Sequence, residues 1–334
     1  MEVIALVGDV MLGRLVNEAL RRAEPASPWG DVLPLLRAAD WRCCNLECVV
    51  SDLVPPRLPD KAFHFRSDGA NVAVLAAAGI DAVSNANNHS LDCGPHAMLD
   101  MLERLDRAGI AHAGAGASLA EARRAALAVT RAGTRIALIS CTDNEPGWAA
   151  GVDTPGLHHV PCQPDDPAAQ ALTAQVRELR SLADIVIVSL HWGGNWGWRP
   201  PLEHRVLGRA LVQAGADIVL GHSCHVFRGI EVAGRGVIIY SAGDFVDDYA
   251  VDEAERNDWS FVFSAEVVRG RVTRLRLRPT VIRELQACLA AGPLARQIID
   301  RMCELCQELA TPVDAGDKEA VIEVAAPDGH RSMA

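Results

Sequence analysis

The chain has 334 residues, 49% of them hydrophobic, with a net charge of −11 and a pI near 5.5. That length and apolar content allow one large α/β core or two small ones. The acidic balance argues against a nucleic-acid backbone or an anionic membrane as partner, and no apolar run approaches the ~20 residues of a membrane span.

Taken in chain order, "VIALVGDVMLGR" opens as a buried strand that breaks at Gly8-Asp9 and turns at Gly13. Asp31 begins a short helix to about Ala39, and "WRCCNLE" returns as a strand ending on Asn45 and Glu47. The Pro-rich stretch Val54 to Lys61 reads as a loop. Asn71 to Ala78 is an apolar helix stopped by Gly79, and "IDAVSNANNH" is a strand ending on Asn88 and His89. A helix from Gly94 to about Ala108 carries Met98, Leu99, Met101, Leu102 and Leu105 on one face.

A short helix is expected at Leu119 to Arg124, and "ALAVTRAGTRIALISCT" reads as a hairpin turning at Gly133. The long Glu145 to Asp166 segment, dotted with Gly and Pro, is a candidate functional loop. A helix at Ala168 to Leu182 leads to "DIVIVSLHWG", which ends on His191, and a helix at Leu202 to Ala214 leads to "ADIVLGHSCHVFRGIE". There the strand stops at Gly221 and presents His222 and His225. From Gly229 the pattern turns to period two with Gly turns, as in antiparallel hairpins, followed by a helix at Pro293 to Leu309. Residues 1–310 are expected to form a single domain, and 311–334 a polar, disordered tail.

Five strands thus end on polar, ligand-type residues, the way an α/β sheet places chemistry at its carboxyl edge. Asp9, Glu47, Asn88, His89, His191, His222 and His225 are expected to converge on one pocket. A lone His is more often a satisfied core residue than a ligand, but four beside Asp, Glu and Asn form a functional set. The Gly-rich "GGNWGWRP" after His191 holds Trp192, Trp196, Trp198 and Arg199. Packing under loops and a substrate wall are both open readings of these tryptophans; as a wall, Arg199 or Arg14 would meet a carboxylate or phosphate. The ten scattered cysteines point to a reducing compartment, and the Cys303/Cys306 CxxC lacks the second pair or His of a zinc motif.

Two chemistries fit this kit. One is a divalent metal (Mn, Fe or Zn) held by Asp9, Glu47, Asn88, His191, His222 and His225 and activating water. The other is metal-free acid/base catalysis by a carboxylate and an imidazole on opposite faces of a substrate carbon.

"GDVMLGR", "NLE", "AGIDAVSNANNHSLDCG", "GAGAS", "HWG", "AGADIVLGHSCHVFRGIE" and "YSAGDF" resemble, in order, the CapA-like family of poly-γ-glutamate capsule proteins, within the calcineurin-like metallophosphatase superfamily. The resemblance spans about Val3 to Val246 and implies a four-layer α/β/β/α sandwich with its site at the strands' carboxyl ends. Against the superfamily's dimetal pattern, Met11 stands where a His is usual, the bridging Asp has no direct counterpart unless Glu47 replaces it, and Ser223-Cys224 interrupts the terminal His pair. These departures favour one metal site or none. The family includes cytoplasmic members that epimerise ribosomally made peptides without metal. The favoured expectation is therefore a cytoplasmic peptide Cα epimerase with no metal, in which Asp9, His222, His225, Glu47 and Asn88 are catalytic. Arg14, His89, His191, Trp192, Trp196 and Arg199 would bind a peptide or polyglutamate-like substrate, with a leader-peptide-binding partner. The alternatives are a metal-dependent hydrolase or phosphoesterase and a capsule-biosynthesis accessory protein.

Overall fold

The computed structural model describes residues 1–55 and 60–324. Two sheets stack face to face, and the reason lies in the strands' composition. Along Glu2–Val10 (β1) both faces are apolar: Ile4 and Leu6 point one way, Ala5 and Val7 the other. A strand apolar on both faces must be covered on both.

The first sheet continues through Trp41–Leu46 (β2), Ala82–Ser84 (β3) and Ala111–Ala113 (β4), all parallel to β1. The second holds Ala126–Val129 (β5), Arg135–Thr142 (β6), Ile185–His191 (β7), Ile218–His222 (β8), Ile230–Ala233 (β9) and Gly236–Ile239 (β10). Their order is β9-β10-β8-β7-β6-β5, with β6, β7, β8 and β10 parallel. Asp244–Val246 (β11) returns to pair with β1, and Trp259–Val268 (β12), Arg271–Arg283 (β13) and Gln286–Leu289 (β14) extend the first sheet as antiparallel hairpins.

Ile4, Leu6 and Cys43 meet Leu138, Ile187 and Leu220 between the sheets. Each such fully buried aliphatic side chain stabilises by about 1.5–3 kcal/mol. Helices Val72–Ala78 (α1) and Gly94–Arg107 (α2) cover the outer face of the first sheet, where Met98, Met101 and Leu105 pack on Ala5, Cys44 and Val83. Pro167–Leu179 (α3) and Leu202–Ala214 (α4) cover the second through Leu172, Val176, Leu207 and Leu211. The result is a four-layer α/β/β/α sandwich, the layering that the family resemblance implies, with antiparallel C-terminal hairpins. Helix Gly292–Glu308 (α5) inserts Ile298, Ile299 and Met302 at the inter-sheet core.

The expected disordered tail needs correction. Asp314–Ala315 (β15) and Ala320–Glu323 (β16) pair with each other, and β16 adds to β13. Ala320 and Ile322 are buried in the core, and Arg276 and Arg278 hold Glu319 at 2.9 and 2.6 Å. Alternating apolar residues in "EAVIEV" carry that strand, a signal outweighed in the sequence by the surrounding polar residues. Residues 56–59 of the expected Val54 to Lys61 loop, and residues 325–334, lie outside the described residues. Among the described residues no helix is long and apolar enough to cross a membrane.

Candidate functional site

Strand register builds the site. On the first sheet Asp9 stands level with Asn45 of β2 and with Asp244 of β11. On the second, His191 of β7 stands level with His222 of β8. The parallel strands of both sheets end at the same side, so these two rows face each other. β1 reaches its place because Gly8 has no side chain: a Cβ there would lie 1.9 Å from the Gly243 carbonyl oxygen.

At the bottom of the site four groups converge. His191 Nδ1 lies 2.8 Å from His222 Nδ1 and 3.5 Å from Glu47 Oε2, and His222 Nδ1 lies 3.8 Å from Asp9 Oδ1. Asn45 Nδ2 donates to Asp9 Oδ1 at 2.7 Å and also to Glu47 Oε2, so one amide bridges the two carboxylates. The Ser223 amide approaches Asp9 Oδ2 at 3.4 Å. The outer nitrogens of the rings are engaged elsewhere. His191 Nε2 lies 2.9 Å from Asn88 Oδ1, and His222 Nε2 lies 2.7 Å from Ser189 Oγ. An amide oxygen only accepts, so His191 carries its proton on Nε2 and its Nδ1 accepts from His222 Nδ1, whose Nε2 accepts in turn from the Ser189 hydroxyl.

Burial sets the electrostatics. Asp9 is pushed up to about 7, chiefly by desolvation, against the hydrogen bond from Asn45. Glu47 is raised well above the carboxylate range by burial and then by the charge of Asp9. Asp244 and Asp247 are raised likewise, by burial and then by Asp9 and Asp244 respectively. Burial lowers His222 to about 3, and holds His191 well below the ordinary imidazole value with help from His222. Among the described residues no Lys or Arg forms an ion pair with Asp9 or Glu47. The floor of the site is therefore rich in acids and neutral imidazoles, and short of positive charge.

Above this floor opens a cleft of about 410 Å³, lined by Glu47, Asn88, His89, Ser223 and His225 with Arg14, Phe65, Trp196 and Tyr249. Two of its histidines are oriented by carboxylates. His89 Nδ1 lies 2.5 Å from Asp92 Oδ2, and His225 Nδ1 lies 3.0 Å from Asp244 Oδ1. His89 stacks on Phe65 with ring centroids 3.8 Å apart, and Asp92 is fixed by Lys61 at 2.9 Å and by the Phe65 amide. His225 is flanked edge-on by Trp196 and Tyr249. Both imidazoles are lowered by burial, which keeps them neutral near pH 7. Arg14 sits at the rim, paired with Asp248 at 3.3 Å and lying over the Phe63 and Phe65 rings.

The structure brings Asp9, Glu47, Asn88, His89, His191, His222 and His225 to one site, and places Arg14 and Trp196 on its wall. Three members of the expected wall lie elsewhere. Trp192 is fully buried, stacks on His204 at 4.4 Å and donates to the Tyr240 carbonyl. Side chains alternate along a strand, so the residue after the inward His191 faces outward to α4. Trp198 packs edge-on against Phe227 and lies under Arg301. Arg199 makes a two-pronged pair with Glu308 at 2.7 Å on each side, away from the cleft.

Asp9 and His222, expected to act on substrate directly, do not line the cleft; they are 3% and 1% exposed. The sequence reading missed Asp92, Asp244, Lys61, Phe65 and Tyr249 as site residues. Asp92 follows His89 by three residues, and Asp244 lies in "YSAGDF", so both carried a local signal. Pairing them with particular histidines required the fold.

The bacterial capsule synthesis protein family PGA_cap matches residues 3–249. The chain is 35% identical over 245 residues to the PGA biosynthesis protein CapA of Bacillus subtilis, a match covering 73% of this chain and 63% of that protein. It is 35% identical over 286 residues to a probable polyglutamine synthesis accessory protein of Mycobacterium tuberculosis, covering 74% of each. Against the capsule biosynthesis protein CapA of Bacillus anthracis it is 30% identical over 248 residues, covering 73% of this chain and 59% of that one. The chain thus spans less than two thirds of the length of the two Bacillus relatives.

Proposed function

The chain belongs to the bacterial capsule synthesis family PGA_cap, and from that premise we propose that its site binds one divalent cation and hydrolyses an amide bond in a polyglutamate-like, anionic peptide. The observation that carries this reading is the convergence of the His191 and His222 Nδ1 atoms with the Asp9 and Glu47 carboxylates, with no Lys or Arg ion-paired to either carboxylate among the described residues. One donor atom each from Asp9, His191 and His222 lies within 4.8 Å of the others. Two buried carboxylates lacking a counter-charge are costly, and a cation removes the cost. Carboxylate and neutral imidazole donors suit Mn, Fe or Zn.

Such an ion, when bound, supplies Lewis acidity and lowers the pKa of water. The chain's own groups do the rest. Asn45 holds the two carboxylates together, and Asn88 and Ser189 fix the two ligand rings. His225, oriented by Asp244, presents a bare Nε2 to the cleft, which takes a proton from the attacking water and passes it to the leaving amine. His89, oriented by Asp92, meets the other side of the scissile group, and Arg14 receives a substrate carboxylate at the rim. Trp196, Phe63 and Phe65 pack on the substrate's methylenes and shut out water.

The metal-free epimerase expectation loses its support here. It needs Asp9 on one face of a substrate carbon and a histidine on the other, whereas Asp9 lies beneath the cleft beside the histidines of the floor. Manganese binding by equilibrium dialysis tests the reading. One ion per chain, lost in Asp9→Asn and in His191→Gln, is expected; equal binding by wild type and both variants would refute it.

A further inference from the structure

A second cluster lies on the far side of β7 from the cleft. Asp143 follows β6, Cys162 lies just after a segment bridged in parallel to the end of β6 at Thr142 and His159, and His204 is in the first turn of α4. One donor atom from each falls within 4.8 Å of the other two. Cys162 and His204 are 3% and 2% exposed. The thiol of Cys162 has Asp143 as its hydrogen-bond partner, and His204 Nδ1 is buried with no hydrogen-bond partner among the described residues. An imidazole nitrogen buried without a partner has lost its hydrogen bond to water and gained nothing in return, so its retention calls for an explanation.

We propose that Asp143, Cys162 and His204 form a zinc site separate from the cleft, with water completing the tetrahedron. The donor set is the argument. Thiolate, imidazole and carboxylate together are a zinc-type combination, and tetrahedral bonds of about 2.0–2.3 Å place donors within the separation found here. A thiolate and a carboxylate also cancel the ion's two charges, leaving a neutral buried centre. Binding releases the Cys162 proton to solvent and converts a thiol that burial keeps protonated into a ligand.

The site has a structural consequence for the cleft. Asp143 Oδ1 accepts from the Gly193 amide at 2.9 Å, and the His204 ring packs where a Gly193 side chain would stand, 2.6 Å from that Cβ position. Gly193 starts the loop that carries Trp196 to the cleft wall. An ion held by Asp143 and His204 pins that loop from behind.

Cobalt substitution provides the test, because only cysteine ligation gives a thiolate-to-cobalt charge-transfer absorption. The donors of the cleft floor include no cysteine, so the outcome there does not affect this readout. Full-length protein stripped with chelator and titrated with Co²⁺ is expected to show the band. Asp9→Asn should retain it, and Cys162→Ser and His204→Gln should lose it or weaken it at least tenfold at equal cobalt. Circular dichroism on each variant confirms that it is folded. Absence of the band in the folded wild-type protein, or its persistence in Cys162→Ser, would overturn the proposal.

Discussion

His225 Nδ1 lies 3.0 Å from Asp244 Oδ1, and this contact joins the two sheets at the mouth of the site. His225 follows β8 of the second sheet; Asp244 opens β11, beside Asp9 on the first. The carboxylate holds the ring so that Nε2 faces the cleft, and it stabilises the imidazolium that forms when a proton is taken up. Asp244→Asn should therefore lower kcat by about 10- to 100-fold with little change in KM, the usual cost of removing an orienting partner. The pH dependence of kcat should shift with it. An Asp244→Asn enzyme with wild-type kcat and pH profile would remove His225 from the mechanism.

Arg14 and Arg199 were equal candidates for anion recognition, and the fold separates them. Arg14 lines the cleft; Arg199 is committed to Glu308 outside it. A charged hydrogen bond to a carboxylate contributes about 1.5–3 kcal/mol, so Arg14→Ala should raise KM for a γ-glutamyl oligomer by about 10- to 100-fold. Arg199→Ala should leave KM within about twofold, since it removes only an exposed ion pair. Steady-state kinetics on both variants decides.

Asp9 makes stability depend on pH in a definite direction. Its folded pKa is about 7 against an ordinary 3.8, with burial as the main cause. Between those values the folded state holds a proton that the unfolded state has lost, so the Asp9 contribution to stability falls as pH rises from about 4 to about 7. In cation-free protein, Asp9→Asn should gain on wild type across that window by chemical denaturation. Saturating Mn²⁺ should reverse the order, because the ion replaces the proton. A constant difference between the two proteins from pH 4 to 7 would refute the assignment.

Trp192 and Trp196 separate packing from recognition. Trp192→Ala should cost about 3–5 kcal/mol of stability by opening a cavity against His204 and Tyr240. Trp196, 48% exposed on the cleft, should instead leave the melting temperature nearly unchanged as Trp196→Ala and raise KM. Thermal melts and KM values for the pair check both statements.

The sequence carried much of this site because strand ends are local signals. A β-branched run followed by Gly-His, as at Leu220-Gly221-His222, marks both the strand and the residue it presents, although the strand runs on through Gly221 to His222 rather than stopping at the glycine. Adjacency along the chain could not reveal which way a side chain points, and so Trp192 was placed one residue out of phase with His191. Depth was also hidden. Asp9 and His222 share a site with His89 and His225, yet only the latter two reach the cleft, a distinction set by the stacking of the sheets. The Asp92 and Asp244 partners join residues whose relation is fixed by a turn and by a strand that returns after 235 residues to lie beside Asp9.

Mass spectrometry of a short γ-glutamyl oligomer, incubated with manganese-loaded protein in parallel in heavy-oxygen water and in deuterated water, tests the central claim most directly. Cation-dependent hydrolysis predicts shortened chains, with one heavy oxygen in each new carboxylate and no carbon-bound deuterium. Asp9→Asn and chelator should abolish the cleavage. Intact chains that gain one deuterium per inverted centre, with or without the cation, would contradict the account and return the site to acid/base epimerisation.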